Sequence, residues 1–215
     1  MKQLCPVLWR ITALLLAGMI LAPASSAQAQ DVLDEWATIK VPPPPAIKPV
    51  TLDPKTTALL SMDFNRANCT PDKRARCFAA LPKVQKLLAE ARANGMVVIH
   101  TYGPNMEKAD IVKAVAPVGD EPAFSAGGDK LAGDEVERIL KDRGIATLLL
   151  AGTSANGAVL FTAIGGSQGG FKIVVPVDAI PADTAYQEQF TIWEIANGPG
   201  LREHSTLTRS DLLKF

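Results

Sequence analysis

Four short apolar runs constrain this chain more than any other feature: "TALLSMDF" (57–64), "MVVIHTY" (96–102), "ATLLLAG" (146–152) and "KIVVPVDAI" (172–180). Each has the length of a strand and is apolar on consecutive positions, the pattern of a strand buried on both faces. Helical patterns alternate with them. "FAALPKVQKLLAEARANG" (78–95) places Leu81, Val84, Leu88 and Ala91 on one face and stops at Asn94-Gly95. "DKLAGDEVERILKDRG" (129–144) groups Val136, Ile139 and Leu140 and ends at Gly144. "GAVLFTAIGGSQGG" (157–170) and "TAYQEQFTIWEIAN" (184–197) read as two more helices, and "STLTRSDLL" (205–213) as a short edge element. This alternation predicts an α/β fold: a doubly wound, mostly parallel sheet with helices on both faces, in one domain over residues 56–215.

The first 29 residues are read apart from that domain. Lys2 and Arg10 flank the start of an apolar stretch, "ITALLLAGMILA", and Ala27-Gln28-Ala29 supplies a small-residue cleavage pattern. A membrane anchor is the other reading, but a span needs ~20 apolar residues. Cys5 lies before the apolar stretch, which argues against lipid attachment. The expectation is a periplasmic or secreted protein, free of the membrane once a signal peptide over 1–29 is removed. Residues 30–55 contain Pro42 to Pro45 and read as an extended, proline-rich arm around the domain or a partner subunit, or as a disordered linker.

Charge narrows the partners. The chain has 22 basic and 22 acidic residues, and losing Lys2 and Arg10 leaves a small acidic excess. Neither nucleic acid nor an anionic membrane surface is implied. Two cysteines remain past the leader, Cys69 and Cys77. In an oxidising compartment a disulfide is the simplest reading. A metal pair lacks a neighbouring histidine and further ligands, and Cys69 as a nucleophile would require it to be unpaired.

Ligands of such sheets bind outside the carboxyl ends of the strands. That rule selects Asp63 and Asn65, Thr101 and Tyr102, Thr153 to Asn156, and Asp178. Asp63 interrupts an apolar run, where a charge is costly unless paired or hydrogen-bonded. It reads as a general acid or base, or as a carboxylate capping backbone amides. Lys130 is its candidate partner. His100 reads as a strand histidine satisfied in the core, and His204 lies in a charged stretch near the C-terminus. Ser154 therefore has no histidine partner and a Ser-His-Asp triad is poorly supported. "GTSANG" is not the dinucleotide fingerprint and there is no P-loop, so no cofactor and no metal are expected.

These segments together resemble the isochorismatase-like (cysteine hydrolase) superfamily over Leu52 to Phe215. The resemblance rests on "TALLSMDFN", on "DKLAGDEVERILKDRGIATLLLAGTSANGAVLFTA", and on "GGFKIVVPVDAI", "YQEQFTIWEIANGPG" and "TLTRSDLL". It implies homo-oligomers and a small-molecule substrate. Many members use an Asp, a Lys and a Cys. The Asp falls on Asp63, the Lys falls loosely on Lys130, where "LAGD" replaces the family's usual pattern, and the Cys falls on Ala158.

Alanine cannot attack a carbonyl, so covalent amidase chemistry is improbable. The superfamily's isochorismatases also lack the cysteine, and their aspartate is thought to protonate a vinyl ether. That scheme implies a protonated Asp63, with its pKa raised by burial. The amides from Ser154 to Ala158 would hold a substrate oxygen, with a cis peptide near Ser154-Ala155. "NGAVLFTA" reads as a natural helix start, although a replaced cysteine would look the same. The reading is an exported hydrolase of a small carboxylate, vinyl ether, ester or amide. Asp63 and Lys130 would do the chemistry, while Asn65, Ser154, Ala155 and Asn156 position substrate. A catalytically inactive ligand-binding relative, and an interaction protein using the proline-rich arm, are the alternatives.

Overall fold

A computed structural model of the chain describes residues 31–215. The signal-peptide expectation concerns residues 1–29 and lies outside the described residues. The chain divides into two units at Pro42–Pro43. In the first, Asp31 caps a short helix, α1 (Val32–Glu35), its carboxylate accepting from the Leu33 amide at 2.7 Å. The arm is thus helical at its start, where the sequence suggests only extended chain. Its later part belongs to the second unit: the Lys48 amide donates to Leu207 O at 3.0 Å, and β1 (Val50–Thr51) pairs in parallel with β8 (Leu213–Lys214).

The main sheet has six strands: β2 (Thr57–Met62), β3 (Val97–Tyr102), β4 (Ala123–Ser125), β5 (Thr147–Gly152), β6 (Lys172–Pro176) and β7 (Ser205–Thr208). Their order is β4-β3-β2-β5-β6-β7, and all pairings are parallel. The central pair, β2 and β5, runs in register from Thr57↔Thr147 to Met62↔Gly152. Four of these strands are the apolar runs of the sequence. β4 escapes them because "AFS" is three residues long and only partly buried.

Helices α2 (Ala75–Ala93), α3 (Asp134–Asp142), α4 (Leu160–Gln168) and α5 (Ala185–Asn197) cover the sheet. Strand side chains alternate between two apolar layers, as a pleated backbone requires. Ala58, Leu60, Met62, Leu148 and Leu150 face one layer with Val136, Leu140, Ala163 and Ile195 from α3, α4 and α5. Leu59, Leu149 and Ala151 face the other with Val84, Leu88 and Ala91 from α2. Pro82 lies inside α2, in its second turn. Cys69 and Cys77 form the expected disulfide just before and within the start of α2. No helix among the described residues is long and apolar enough to cross a membrane.

One partly buried polar cluster fixes the β3–β4 edge. Glu121 accepts from Arg92 Nε at 2.7 Å and Nη2 at 2.8 Å, and from the Val118 amide at 2.9 Å; His100 Nε2 lies 3.0 Å from it. His100 is fully buried, and its Nδ1 has no hydrogen-bond partner. The ring is thus only half satisfied, a correction to its reading as a satisfied core histidine. Burial pushes His100 below the ordinary imidazole value; the bond to Glu121 opposes this, and the charges of Arg92 and Lys108 reinforce it. For Glu121 burial acts upward, but Arg92, the Val118 amide and His100 together hold it below its usual range.

The signs give a pH dependence. A depressed His100 stays neutral in the fold while the unfolded chain takes up protons below about pH 6.5, so stability falls as pH drops through that point. Glu121's contribution is present above about pH 4.5, its unfolded value, and is lost on further acidification. Urea midpoints measured from pH 8 to about pH 2 should therefore decline in two stages. His100→Gln should remove the stage that begins near pH 6.5 and leave the lower one.

Candidate functional site

The site grows from the carboxyl ends of β2 and β5. Met62 and Gly152 are paired at the last rung. A Cβ at Gly152 would sit 2.7 Å from Met62 Cβ, so only glycine lets the two strand ends approach this closely. Asp63 follows in the left-handed region, φ 58°, a conformation that Asp tolerates better than most residues. Its amide donates to Thr101 O at 3.1 Å, and its carbonyl accepts from the Asn65 amide at 2.7 Å.

Asp63 Oδ2 accepts from Lys130 Nζ at 2.6 Å, and Oδ1 accepts from Thr101 Oγ1 at 3.0 Å. Lys130 is 1% exposed at its side chain and Asp63 18%. The ammonium also donates to Ala126 O at 3.3 Å and to Gly127 O. Its three donors are therefore all used, as a buried ammonium requires. The Lys130 amide donates to Thr162 Oγ1 at 3.1 Å, which ties the lysine's loop to α4. The sequence places Lys130 only loosely; the fold brings it directly onto Asp63.

Both Asp63 oxygens are engaged, one of them by an ammonium. The carboxyl is held by a charge-assisted bond as well as by burial.

Beside Asp63, the chain leaves β5 through an elbow. The Thr153 amide donates to Met62 O at 3.0 Å, and the peptide between Thr153 and Ser154 is cis, one residue before the expected position. Residues Ala155–Val159 form a π-helical turn that leads into α4. The expected helix start at Gly157 is thus a wider coil whose Gly157 and Val159 amides both donate to Ser154 O, at 3.1 and 3.3 Å. The Ala155 amide donates to Pro181 O at 3.2 Å, which anchors the elbow to the loop after β6. Ala158, where the resemblance expects a thiol, is nearly buried in this turn.

Other sequence candidates separate. Asn65 is buried and forms an antiparallel bridge with Ile111; its Oδ1 and that of Asn156 are buried without hydrogen-bond partners. Asp178 accepts from the Ser210 amide at 2.9 Å and Oγ at 2.8 Å, a structural pairing between the ends of β6 and β7. His204 borders a cleft at the opposite end of the sheet with Thr56 and Lys172, so it cannot serve Ser154. Arg74, which sequence reasoning passes over, reaches the elbow: its Nη1 donates to Thr153 Oγ1 at 2.9 Å. A lone arginine in a loop carries no periodic signal, and only the fold reveals its target.

Two clefts lie near these groups. One of about 260 Å³ runs along Phe124 to Gly133 and includes Lys130. A larger groove of about 530 Å³ lies between the start of α2 and the loop after β6. Its charged residues are mutually paired, Arg76 with Glu188 and Lys83 with Asp178. Among the described residues no group of three or more His, Cys, Asp or Glu is placed to hold a metal ion.

The ion pair predicts a stability pattern. Removing the carboxylate strands a buried ammonium, so Asp63→Ala should cost ~3–5 kcal/mol. Lys130→Met should cost less, since the remaining carboxylate is partly solvated and keeps Thr101. The double variant should cost less than the sum of the two, by ~0.5–3 kcal/mol. Urea denaturation of the four proteins measures this coupling.

Comparison with known proteins agrees with this geometry. The isochorismatase domain family matches residues 57–203. An isochorismatase family protein from Desulfovibrio vulgaris subsp. vulgaris str. Hildenborough superposes with a TM-score of 0.65 at 22% identity, covering 73% of this chain and 95% of that one. A cysteine hydrolase from Pseudomonas syringae pv. phaseolicola 1448A gives 0.66 at 18%, covering 78% and 94%. A pyrazinamidase/nicotinamidase from Streptococcus mutans UA159 gives 0.62 at 18%, covering 71% and 99%. No curated protein matches the sequence. With a six-stranded parallel sheet, a cis-peptide elbow and a match over most of the folded unit, the chain belongs to the isochorismatase family.

Proposed function

We propose that this protein is an exported hydrolase of a small carboxylate, ester, amide or vinyl ether substrate, working by acid–base chemistry without a covalent enzyme intermediate. The observation that carries the reading is the 2.6 Å contact between Asp63 and a buried Lys130 beside the elbow. Such a pair is expensive unless the fold gains from it, and its position at the carboxyl edge is where α/β sheets bind ligands. Hydrolase chemistry is supported by the family and by its cysteine hydrolase and nicotinamidase neighbours. Ala158 removes the nucleophile that a covalent route requires.

In the proposed reaction Asp63 begins as a base. It takes a proton from water as the water oxygen attacks the substrate carbon. The Lys130 charge stabilises the negative charge that develops. The hydrogen bonds of the elbow engage the amides of Ala155, Gly157, Val159 and Leu160, and we assign the Asn156 and Ala158 amides to the substrate oxygen. Asp63 then passes its proton to the leaving group, so that water has added across the cleaved bond. For a vinyl ether the order reverses: Asp63 must gain a proton before the carbon does. Asn65 and Asn156, each with a buried amide oxygen that has no hydrogen-bond partner, are the remaining candidates to position substrate. Mature protein in the periplasm or outside the cell, acting as a homo-oligomer, completes the proposal.

Ala158 also favours a second reading, a relative that binds a small ligand and turns nothing over. A panel of vinyl esters, amides and vinyl ethers separates the two. On any substrate that is turned over, Asp63→Asn should lower turnover by ~10²–10⁴-fold with circular dichroism unchanged. Iodoacetamide under non-reducing conditions should leave the activity intact, since both described cysteines are in the disulfide. Near-native turnover by Asp63→Asn would remove the acid–base assignment, and an inert panel would favour the binding reading.

A further inference from the structure

We propose that Arg74 is the positioning residue of the elbow and that the Cys69–Cys77 disulfide holds it in place, so that the order of the site depends on the oxidised loop. The proposal rests on the elbow being the substrate-facing turn, but it concerns a different part of the chain.

Arg74 bridges two segments that meet at the site. Nη1 donates to Thr153 Oγ1 at 2.9 Å, while Nε and Nη2 donate to the two carboxylate oxygens of Asp183. Thr153 is the first residue of the cis peptide, and Asp183 lies two residues past Pro181, whose carbonyl holds the Ala155 amide. One guanidinium thus fixes the elbow and its neighbouring loop together. A planar fork can pair both oxygens of a carboxylate and still reach a hydroxyl from its other edge; an ammonium, a point charge, does not reproduce that spacing.

The disulfide sets where that fork stands. Cys69 and Cys77 are buried, and the loop between them is folded by its own bonds: Cys69 N–H to Asn65 O at 2.8 Å and Arg74 N–H to Thr70 O at 3.0 Å. The closed loop therefore has Asn65, a candidate substrate contact, just before it and Arg74 within it. Opening the disulfide restores conformational freedom to these residues, and Arg74 loses its fixed approach to Thr153. Export to an oxidising compartment and a rigid elbow are then linked by one side chain.

Hydrogen–deuterium exchange read by mass spectrometry tests this without any substrate. Peptides covering 152–160 should exchange about 10-fold faster in Arg74→Ala than in the oxidised parent, the scale of losing one charge-assisted hydrogen bond. Peptides covering 147–150 should not change, which shows that the sheet is intact. Arg74→Lys should resemble Arg74→Ala. Thr153→Val should give the same local increase, and the Arg74→Ala/Thr153→Val double variant should add nothing. A role as a mere tether to Asp183 would not produce that non-additivity. Phosphine reduction of the parent should reproduce the increase at 152–160. Unchanged elbow exchange in Arg74→Ala, full rescue by lysine, additive effects with Thr153→Val, or no response to reduction would each overturn the proposal. If reduction unfolds the whole sheet, disulfide-intact Arg74→Ala decides. The readout is independent of turnover, so an inactive panel would leave it standing, and a failed exchange experiment would leave the acid–base reading standing.

Discussion

A lysine ammonium taken out of water at a strand end is the constraint on which the site depends. Lys130 is almost wholly buried, and its three protons reach Asp63, Ala126 O and Gly127 O. Leaving any of these unmade would cost a substantial part of the stability of a domain this size. Satisfying them imposes geometry on three places. Asp63 must turn out of β2 with a positive φ, residues 126–130 must fold their carbonyls inward, and α4 must come close enough for Thr162 to receive the Lys130 amide. The ion pair thus fastens the end of a central strand to the helix that follows the elbow.

The elbow supplies the second half of the site by a different physics. Backbone bonds hold it, together with the Arg74 guanidinium on Thr153 Oγ1. Thr153 N–H reaches Met62 O across the glycine-permitted contact of β2 and β5, and Ala155 N–H reaches Pro181 O in the loop after β6. The π-helical turn widens the start of α4. The resemblance read from the sequence expects a thiol in this turn, at Ala158. Alanine stands there, and the proposed route through water follows from that reading.

The sheet was largely legible in the sequence, because consecutive apolar residues leave a strand no solvent face, and that pattern survives whatever packs on it. β4 was not legible: three residues at an edge carry too little burial to leave a signature. At the site, Asp63 was legible because a charge in an apolar run demands a reason. Its partner was not secure from sequence, since Lys130 lies 67 positions away in a stretch that reads as an ordinary charged helix start. The position of the cis peptide, the π turn and the reach of Arg74 depend on tertiary contacts that leave no local pattern. The surroundings of Asp63 show the same limit: the sequence shows a carboxyl in an apolar run, and only the fold shows the two groups that contact it.

The central claim, hydrolysis without a covalent bond to the protein, is tested most directly by intact-mass spectrometry of the enzyme during steady-state turnover of an ester or amide that it cleaves, quenched in acid. The predicted spectrum contains only the unmodified chain at every time point. A species heavier by the mass of the acyl group, appearing with turnover and decaying as substrate runs out, would contradict it and would place a nucleophile in the site that the Asp63–Lys130 pair does not provide.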